Sequence, residues 1–370
     1  MRMQREESYL IRKGLAILII ILFIGMVFTP STVSKVEQSS ISTLGVEILY
    51  VGGNGPGNYS SIQDAIDNAS DGDIVFVYDD SSPYYENVNV DKRINLIGEN
   101  RETTIIDGGL WDDVIYITAD YTYVTGFKLQ NSRDSSAIKV SSNNNTIFWN
   151  IITDTNFGIS LLSSSHNIIA QNIFTNNAFS GINLGGKYHK IISNTFLENY
   201  YGIYSWNSES NNISENTFIN QINNAILLSE TSNITIWENR IYTSKESGIE
   251  LQHLEKRNLI SRNILGNNGF AGFYLWNASN QDICYNNISG NYLGIFLIDS
   301  SDNNMICHNN IIDNSLNGFF INCSKNRWRR NFWDRPRLLP YPIFGKIDMN
   351  YWFNLDWRPA FIPNDIGGIV

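Results

Sequence analysis

Short apolar blocks recur along the chain at a nearly constant spacing. Between residues 105 and 333 a block of the form Gly/Ala-Ile-x-Leu, such as GISL at Gly158 and GINL at Gly181, returns every 21 to 24 residues. Alternation of apolar and polar positions is typical of a β-strand, and this region shows no helical period. A fixed period of this kind predicts a repeat architecture in which each unit buries its face against its neighbours.

Two further columns recur in register with these blocks. Nine asparagines are spaced 22 to 24 residues apart, namely Asn150, Asn172, Asn194, Asn216, Asn239, Asn263, Asn286, Asn309 and Asn331. Three residues before each stands an apolar residue, namely Ile147, Ile169, Ile191, Ile213, Ile236, Ile260, Ile283, Ile306 and Trp328. We expect the amides to hydrogen-bond from coil to coil inside a turn, and the apolar column to face a dry interior. The recurring glycines are expected to supply turns with positive φ.

Coils of this length and pattern resemble the right-handed parallel β-helix of the pectin-lyase-like superfamily, and specifically NosD-type or CASH (carbohydrate-binding and sugar-hydrolysis) repeats. The resemblance covers roughly residues 48–360. It implies an all-β fold of about ten coils of about 23 residues, with three strands in each coil. Such a rod is expected to carry a short helix as its N-terminal cap and an aromatic, proline-rich C-terminal cap.

The two ends of the repeat region differ in composition from its middle. Near the start, Ser61 can cap a short helix with Asp64 at its third position, and a buried stripe is expected from Ile62, Ala65, Ile66 and Ala69. Near the end, residues 326–360 are rich in Trp, Phe, Tyr and Pro, which predicts a cap over the last coil. An aromatic sugar-binding platform with Arg335, Arg337 and Arg358 is the alternative for this segment.

The N-terminus has the layout of an export sequence. Residues 14–28 carry no charge and follow four Arg or Lys residues. This stretch is shorter than a usual membrane span, and both cleavage and retention as an anchor stay open. The predicted organisation is a signal peptide or membrane anchor over 1–40, an N-terminal cap with first strands over 41–104, β-helix repeats over 105–333, and a C-terminal cap or tail over 334–370. The repeat region is then expected at the cell surface or secreted.

Composition narrows the range of partners. The chain has a net charge of −10 and only 17% charged residues, so it lacks the basic surface that nucleic acid requires. Three cysteines and four dispersed histidines demand no metal or other cofactor, although the NosD name raises copper handling as a minor alternative. Cys284 and Cys307 lie one coil apart, and both free thiols and a disulfide are compatible with that spacing. The number of glycosylation sequons gives no support for glycosylation, because the asparagine content alone accounts for it.

A line of aromatic residues is predicted on the outer face of one strand column. In each Gly-Ile-x-Leu block the second and fourth residues point inward, so the third residue and the one after the block face solvent. The ligand-binding candidates at these positions are Tyr204, Trp206, Tyr274, Trp276, Phe296 and Phe320. Because flat sugar faces pack on such rings, extracellular glycans are the expected partners. The alternative is that the C-terminal tail folds over the stripe and makes it part of the core.

Only the central coils offer acid–base candidates. Glu250 occupies an outward position, His253 follows it, and Glu230 lies at the turn position of His253 one coil earlier. These groups would suit a polysaccharide lyase, epimerase or glycoside hydrolase. The enzymes of this superfamily that cleave polyuronides carry Asp pairs, Arg or Lys at the cleavage point and often calcium ligands, but the repeat strands hold no Asp-Asp pair and no GHG or RIK segment. The sequence therefore favours an exported, noncatalytic carbohydrate-binding protein, with the enzyme as the alternative and membrane contact through the N-terminal segment alone.

Overall fold

A parallel β-helix is the architecture of the chain in a computed structural model that describes residues 45–348 and 350–366. The chain winds through thirteen coils, each of which contributes one strand to sheet 1, and all but the first of which also contribute to sheets 2 and 3. The described residues contain one short helix and no helix with the length and apolar character needed to cross a membrane. The expected signal or anchor over 1–40 lies outside the described residues. Val46–Val370 forms one compact unit.

Sheet 1 contains thirteen parallel strands, each bonded to the equivalent strand of the next coil. In chain order the strands are Ile48–Val51, Ile74–Val77, Asn95–Gly98, Tyr123–Thr125, Thr146–Phe148, Ile168–Ala170, Lys190–Ile192, Asn212–Ser214, Thr235–Trp237, Leu259–Ser261, Asp282–Cys284, Met305–Cys307 and Arg327–Arg329. At about 4.8 Å per strand the rod is about 60 Å long. The count exceeds the expected ten because residues 48–104 form coils too, although their sequence departs from the repeat.

Sheets 2 and 3 share two long strands, Lys128–Val140 and Ile151–Ser160, which pass from one sheet into the other. The other strands of sheet 2 are Tyr84–Tyr85, Ile105–Asp107, Ile173–Thr175, Thr195–Leu197, Thr217–Ile219, Arg240–Tyr242, Ile264–Gly266, Asn287–Ser289, Asn310–Ile312 and Phe332–Trp333. Those of sheet 3 are Val88–Val90, Ile115–Ile117, Ser180–Leu184, Tyr201–Trp206, Ile226–Ser229, Ile249–Leu254, Ala271–Ala278, Leu293–Ile298, Leu316–Ile321 and Tyr341–Ile347. A last strand, Asn350–Asp356, pairs antiparallel with Tyr341–Ile347 and closes the rod.

The core is built from equivalent residues stacked along the axis. The predicted apolar column of sheet 1 is confirmed, since its eight isoleucines are fully buried and Trp328 is 4% exposed. In sheet 2 the rings of Phe174, Phe196 and Phe218 stack with centroid separations of 4.8 and 4.5 Å. Because the strands lie in register, each apolar side chain meets an equivalent one in the next coil, which excludes water along the whole rod.

Asparagine ladders line all three corners of the coil. The predicted ladder, between sheets 1 and 2, is buried, and each Asn Oδ1 accepts from the backbone N–H and Nδ2 of the Asn in the preceding coil, as Asn194 does for Asn172 at 3.0 and 3.1 Å. A weaker ladder lies between sheets 3 and 1. A third, between sheets 2 and 3, follows the first by five residues and consists of Asn177, Asn199, Gln221, Asn268, Asn291 and Asn314, interrupted by Ser244, whose hydroxyl has no hydrogen-bond partner. These bonds satisfy backbone groups that the turns would otherwise bury unpaired.

The expectation that the block glycines adopt positive φ is wrong. Gly158, Gly181 and Gly202 are absent from the residues with positive φ. They are required by crowding instead, because a Cβ at Gly202 would lie 2.5 Å from both the Ala225 carbonyl oxygen and the Phe218 ring. Positive φ occurs at the residue before each of the nine asparagines of the predicted ladder, including bulky residues such as Trp149.

The N-terminal cap is the predicted helix, Ile62–Asn68. Ser61 is its N-cap and accepts from the Asp64 N–H, and the expected apolar stripe is buried against the first coil. Glu86 also binds the N-terminus by accepting from the backbone N–H groups of Ile62 and Gln63. A carboxylate at this end offsets the unpaired N–H groups of the first turn.

The C-terminal cap covers the last coil with only part of its aromatic content. Trp328, Trp333 and Tyr341 pack over the end of the core, and the Trp333 and Tyr341 rings stack at 4.2 Å. Tyr351 and Trp357 of the same segment do not contribute to this cover and are 81% and 70% exposed. The first half of the last strand is exposed on both faces, and only its end at Asp356 is buried.

One disulfide joins two neighbouring strands of sheet 1. Cys284 and Cys307 are register partners with a Cα–Cα distance of 4.6 Å, and their sulfur atoms are bonded. The sequence leaves free thiols and a disulfide open, and the structure has the bond. Cys323 is the free cysteine of the described residues, and burial raises the pKa of its thiol to about 12.

Candidate functional site

An unbroken line of aromatic side chains runs along the outer face of sheet 3. Successive strands place five of them in register: Tyr274, Phe296, Phe319, Phe344 and Phe353. The Tyr274 and Phe296 rings are stacked at 5.5 Å, and Phe296 and Phe319 are 6.1 Å apart. We call these five residues the aromatic stripe. It extends from the middle coils to the C-terminal end of the rod.

Phe320 does not belong to this surface, and its assignment as a ligand-binding residue is wrong. Its side chain is fully buried. In the last repeat Gly318 pairs with Ile295 instead of Gly294, so the strand is offset by one residue from the alignment on glycine. The offset turns Phe320 into the core and Phe319 outward, because side chains alternate between faces along a strand.

The C-terminal tail leaves the aromatic stripe open. The described tail runs back along the corner between sheets 1 and 2, where Asn364 exchanges hydrogen bonds with Asn310 and the Ile366 carbonyl oxygen accepts from Arg262. The rings of Tyr274 and Phe296 stay partly exposed. Within the described residues, therefore, the tail does not cover these rings.

Two pairs of aromatic side chains border a slot at the start of the aromatic stripe. Tyr204 and Trp206 project from one strand, and Tyr274 and Trp276 project from the strand three coils further on, about 14 Å away. Trp206 is 49% exposed and Trp276 is 37% exposed. The floor between the pairs consists of smaller or polar side chains, namely Leu227, Ser229, Glu250 and Gln252. The slot thus has aromatic borders and a carboxylate in its floor.

Glu250 is the titratable group at the centre of the slot. Its carboxylate accepts from Asn224 Nδ2 and, at 3.3 Å, from Gln252 Nε2. Burial raises the pKa of this carboxyl, the Asn224 hydrogen bond opposes the shift, and the charge of Glu246 adds to it. A carboxyl group of this kind can donate a proton at a higher pH than an exposed glutamate.

Further aromatic side chains form the wall of the slot on the side of sheet 2. The Tyr201 ring lies 5.5 Å from the Tyr204 ring, and burial, followed by Tyr200 and Glu250, raises the Tyr201 pKa to about 12. The pKa of Tyr274 is also raised, by burial and then by the charges of Glu250 and Asp299. The charged groups that act on these tyrosines are therefore acidic.

The other two acid–base candidates are not joined to Glu250. His253 is exposed, its ring lies 4.8 Å from the Trp276 ring, and its Nδ1 is 3.2 Å from Asn277 Nδ2. Glu230 occupies the position of His253 one coil earlier and lines a shallow concavity that also contains Lys187 and Lys256. The structure therefore places both groups at the turn that follows the slot, and neither hydrogen-bonds to Glu250.

The histidines do not form a metal site. His166, His189, His253 and His308 belong to different coils, and no group of three or more His, Cys, Asp or Glu side chains within 45–348 and 350–366 is arranged to hold an ion. The donor set expected of a copper site is therefore not assembled by these residues.

Taken with the closed stack of coils, these features define a parallel β-helix protein with an open, aromatic outer face. The sequence model described as "Right handed beta helix region" matches residues 133–283 and 201–332, together more than half of the chain. The protein therefore belongs to the right-handed β-helix family. No curated protein matches the chain significantly in sequence.

Solved structures with the same fold include several polysaccharide-acting enzymes. The catalytic unit of a thermostable GH87 α-1,3-glucanase from Streptomyces thermodiastaticus has a TM-score of 0.57 at 12% identity, covering 71% of this chain and 61% of its own. A mannuronic acid specific polysaccharide family 6 lyase from human gut microbiota has a TM-score of 0.54 at 15% identity, covering 76% and 78%. A double mutant of the periplasmic alginate epimerase AlgG has a TM-score of 0.50 at 14% identity, covering 82% and 76%. Similarity at this level of identity concerns the fold alone.

Proposed function

We propose that the protein is an exported surface module that binds carbohydrate on the outer face of sheet 3. The aromatic stripe carries this proposal, because five consecutive strands each place a ring on one solvent-facing line. Stacked rings that stay partly exposed offer flat apolar surfaces to the C–H faces of sugars. A line of such surfaces along the axis suits an extended polymer better than a single small molecule.

The slot beside the aromatic stripe would fix the orientation of the bound chain. Tyr204, Trp206, Tyr274 and Trp276 supply ring faces, and Glu250 and Gln252 supply polar groups for sugar hydroxyls between them. A ligand site is usually lined by apolar surfaces and contains a small number of polar groups that orient the ligand.

The charge of the slot favours neutral sugars over uronic acids. The charges that raise the pKa values of Glu250, Tyr201 and Tyr274 come from acidic groups and other tyrosines. A polyuronate would bring further carboxylates next to Glu250 without a cation to offset them. We therefore assign the site to neutral glycans.

Export is part of the proposal and rests on the N-terminal sequence. The uncharged segment 14–28 behind a basic N-terminus is the layout of a secretory signal or an anchor. The Cys284–Cys307 disulfide supports an oxidising location, since such bonds persist mainly outside the cytosol.

A polysaccharide-acting enzyme is the second candidate, and Glu250 is the observation that favours it. A partly buried carboxyl with a raised pKa, set between aromatic side chains, can act as a general acid. The second carboxyl whose charge acts on Glu250 is Glu246, which makes it the candidate partner for two-group catalysis. The enzyme ranks below the binding module because it rests on Glu250 and its surroundings alone, whereas the aromatic stripe spans five strands.

The direct test is a glycan array probed with the purified protein, followed by product analysis on each glycan that is bound. Binding to neutral polysaccharides without any change in their chain length or composition is the expected result. Binding with turnover would establish the enzyme, and absence of binding to every glycan would refute the carbohydrate role.

A further inference from the structure

The charge of this rod is strongly segregated along its length. Residues 46–324 carry 13 Lys or Arg against 29 Asp or Glu, whereas residues 325–358 carry eight against three. The net charge of −10 for the whole chain therefore hides a basic C-terminal end. Anionic partners that the average composition disfavours are favoured at this end.

Hydrogen bonds that involve Asp356 bring several arginines of this basic segment close together. Its fully buried carboxylate accepts from the backbone N–H groups of Arg330 and Arg358, each at 3.2 Å. It also accepts from Trp333 Nε1, and the Trp333 carbonyl oxygen accepts from Arg337 Nε. These bonds hold three arginines around one point at the end of the rod.

Large apolar side chains project from the same surface. Leu338 and Leu339 follow Arg337 directly and are 88% and 77% exposed, and Trp357 lies between Asp356 and Arg358 and is 70% exposed. We call Arg330, Arg337, Leu338, Leu339, Trp357 and Arg358 the terminal patch. Exposed leucines beside a tryptophan and several arginines are unusual on a soluble surface and typical of segments that enter a membrane interface.

We propose that the terminal patch docks on the surface of an anionic lipid bilayer. The arginines would lie at the level of the lipid headgroups, Trp357 at the interface, and Leu338 with Leu339 in the outer part of the acyl chains. This contact is additional to any made by the N-terminal segment, and it does not depend on the carbohydrate proposal.

Two other occupants fit the surface less well. Sugars stack on aromatic rings, whereas the most exposed residues of the terminal patch are aliphatic, which favours hydrocarbon over glycan. A second copy joined end to end through the same patch would bring two basic surfaces together, and like charges oppose that contact.

The test is flotation of residues 46–370 with vesicles of phosphatidylcholine, alone or mixed with phosphatidylglycerol. This unit contains the whole described core and both caps, and it omits the apolar N-terminal segment, which would bind vesicles by itself. We expect binding to the mixed vesicles at low salt, loss of binding as salt is raised, and no binding to phosphatidylcholine alone.

Two double variants separate the apolar and the charged contributions. Leu338→Ser with Leu339→Ser, and Arg330→Gln with Arg358→Gln, should each weaken vesicle binding by roughly ten-fold. Leu162→Ser, at a leucine 52% exposed elsewhere on the rod, is the matched control and should bind like the parent. Thermal unfolding of each variant checks that the fold is retained.

Three results would overturn the proposal. The first is parental vesicle binding by both double variants, and the second is no binding to anionic vesicles at low salt. The third is binding to a soluble anionic polysaccharide such as alginate in the absence of vesicle binding, which would make the terminal patch a glycan site.

Discussion

Asp356 accepts hydrogen bonds from the backbone N–H and from Nδ2 of Asn331 through a single carboxylate oxygen, at 3.0 and 3.2 Å. From Asn150 to Asn309 the equivalent acceptor is the Oδ1 atom of the next ladder asparagine, as Asn331 supplies it for Asn309. The aspartate thus completes the ladder at the point where the repeat stops. A fully buried carboxylate is tolerated there because five donors surround it.

Replacing Asp356 tests this role. Asp356→Ala leaves the donors of Asn331 and Trp333 buried without acceptors, at about 1–3 kcal/mol for each such group. Asp356→Asn keeps one acceptor oxygen and should lose less stability. In thermal or urea unfolding the parent should be the most stable protein, Asp356→Asn the next and Asp356→Ala the least stable. Equal stability of the two variants would contradict the ladder-closing role.

His189 replaces an asparagine in the ladder between sheets 3 and 1 and reproduces its bonds. Its Nδ1 accepts from the Asn167 N–H at 3.2 Å, and its Nε2 lies 3.0 Å from the Ser164 carbonyl oxygen. This pairing requires the neutral ring with its proton on Nε2. Burial lowers the His189 pKa to about 4, from 6.5 for an exposed ring.

The lowered His189 pKa makes stability depend on pH. The unfolded chain takes up the proton more readily, so this contribution is complete above pH 6.5, falls as the pH drops toward 4, and then stays constant. The loss is about 3 kcal/mol. His189→Asn should make the same bonds without titrating, so its advantage over the parent should grow as the pH falls through this range. His166→Asn, at an exposed histidine, is the control, and an equal pH effect in both variants would contradict the assignment.

The disulfide predicts a redox-dependent stability. The bond between Cys284 and Cys307 closes a loop with a sequence separation of 23. Because the disulfide restricts this loop in the unfolded chain, it raises the free energy of unfolding by about 3 kcal/mol. Reduction, or the double variant Cys284→Ser with Cys307→Ser, should lower the unfolding free energy by that order. Cys323→Ser, at the free buried thiol, should not respond to reductant differently from the parent.

Trp276→Ala tests the carbohydrate proposal. The side chain borders the slot and is partly exposed, so its loss should weaken glycan binding by roughly ten-fold while unfolding stays nearly unchanged. Trp149→Ala is the matched control, because Trp149 has a similar exposure of 39% at the corner between sheets 1 and 2. Equal binding by both variants would remove the slot from the proposal.

Glu250→Gln distinguishes binding from catalysis. Because the Glu250 pKa is raised in the folded state, its protonated form is favoured there, and its stabilising contribution is lost as the pH rises above 4.5 through the folded pKa. At neutral pH the glutamine variant should therefore be at least as stable as the parent. If the protein turns over a bound glycan, the variant should bind it without turnover. Unchanged turnover would exclude Glu250 as the acid.

The repeat and its inward face were predictable from the sequence because stacking imposes the same environment on each coil. Ile213 and its equivalents show this, since a residue paired with an identical neighbour in register must share its burial. The third asparagine ladder carried the same regular spacing and was detectable as well. Asn177 follows Asn172 by five residues, and this offset recurs along the rod.

The features that the sequence did not predict depend on the local register of one strand, on the side chains around one position, or on a residue that occurs only once. Phe320 was misplaced because one strand shifts by one residue, which reverses its side chains. Leu227 holds an outward position yet is 4% exposed, since its neighbours Tyr204 and Glu250 cover it. Asp356 occurs once, outside the repeat, and no periodic pattern marks it as the residue that ends a ladder.

The coil-to-coil ladders make the length of this molecule an adjustable quantity. Each interface within the repeat region connects only adjacent coils. Stability is therefore a sum of coil and interface contributions, and folding can spread from any coil already formed. Excising one complete repeat, residues 195–216, would bring Asn194 before Thr217 in place of Asn216 and leave equivalent partners on both sides. The two ends cannot be removed in the same way, because the helix at one end and Asp356 at the other each occur only once.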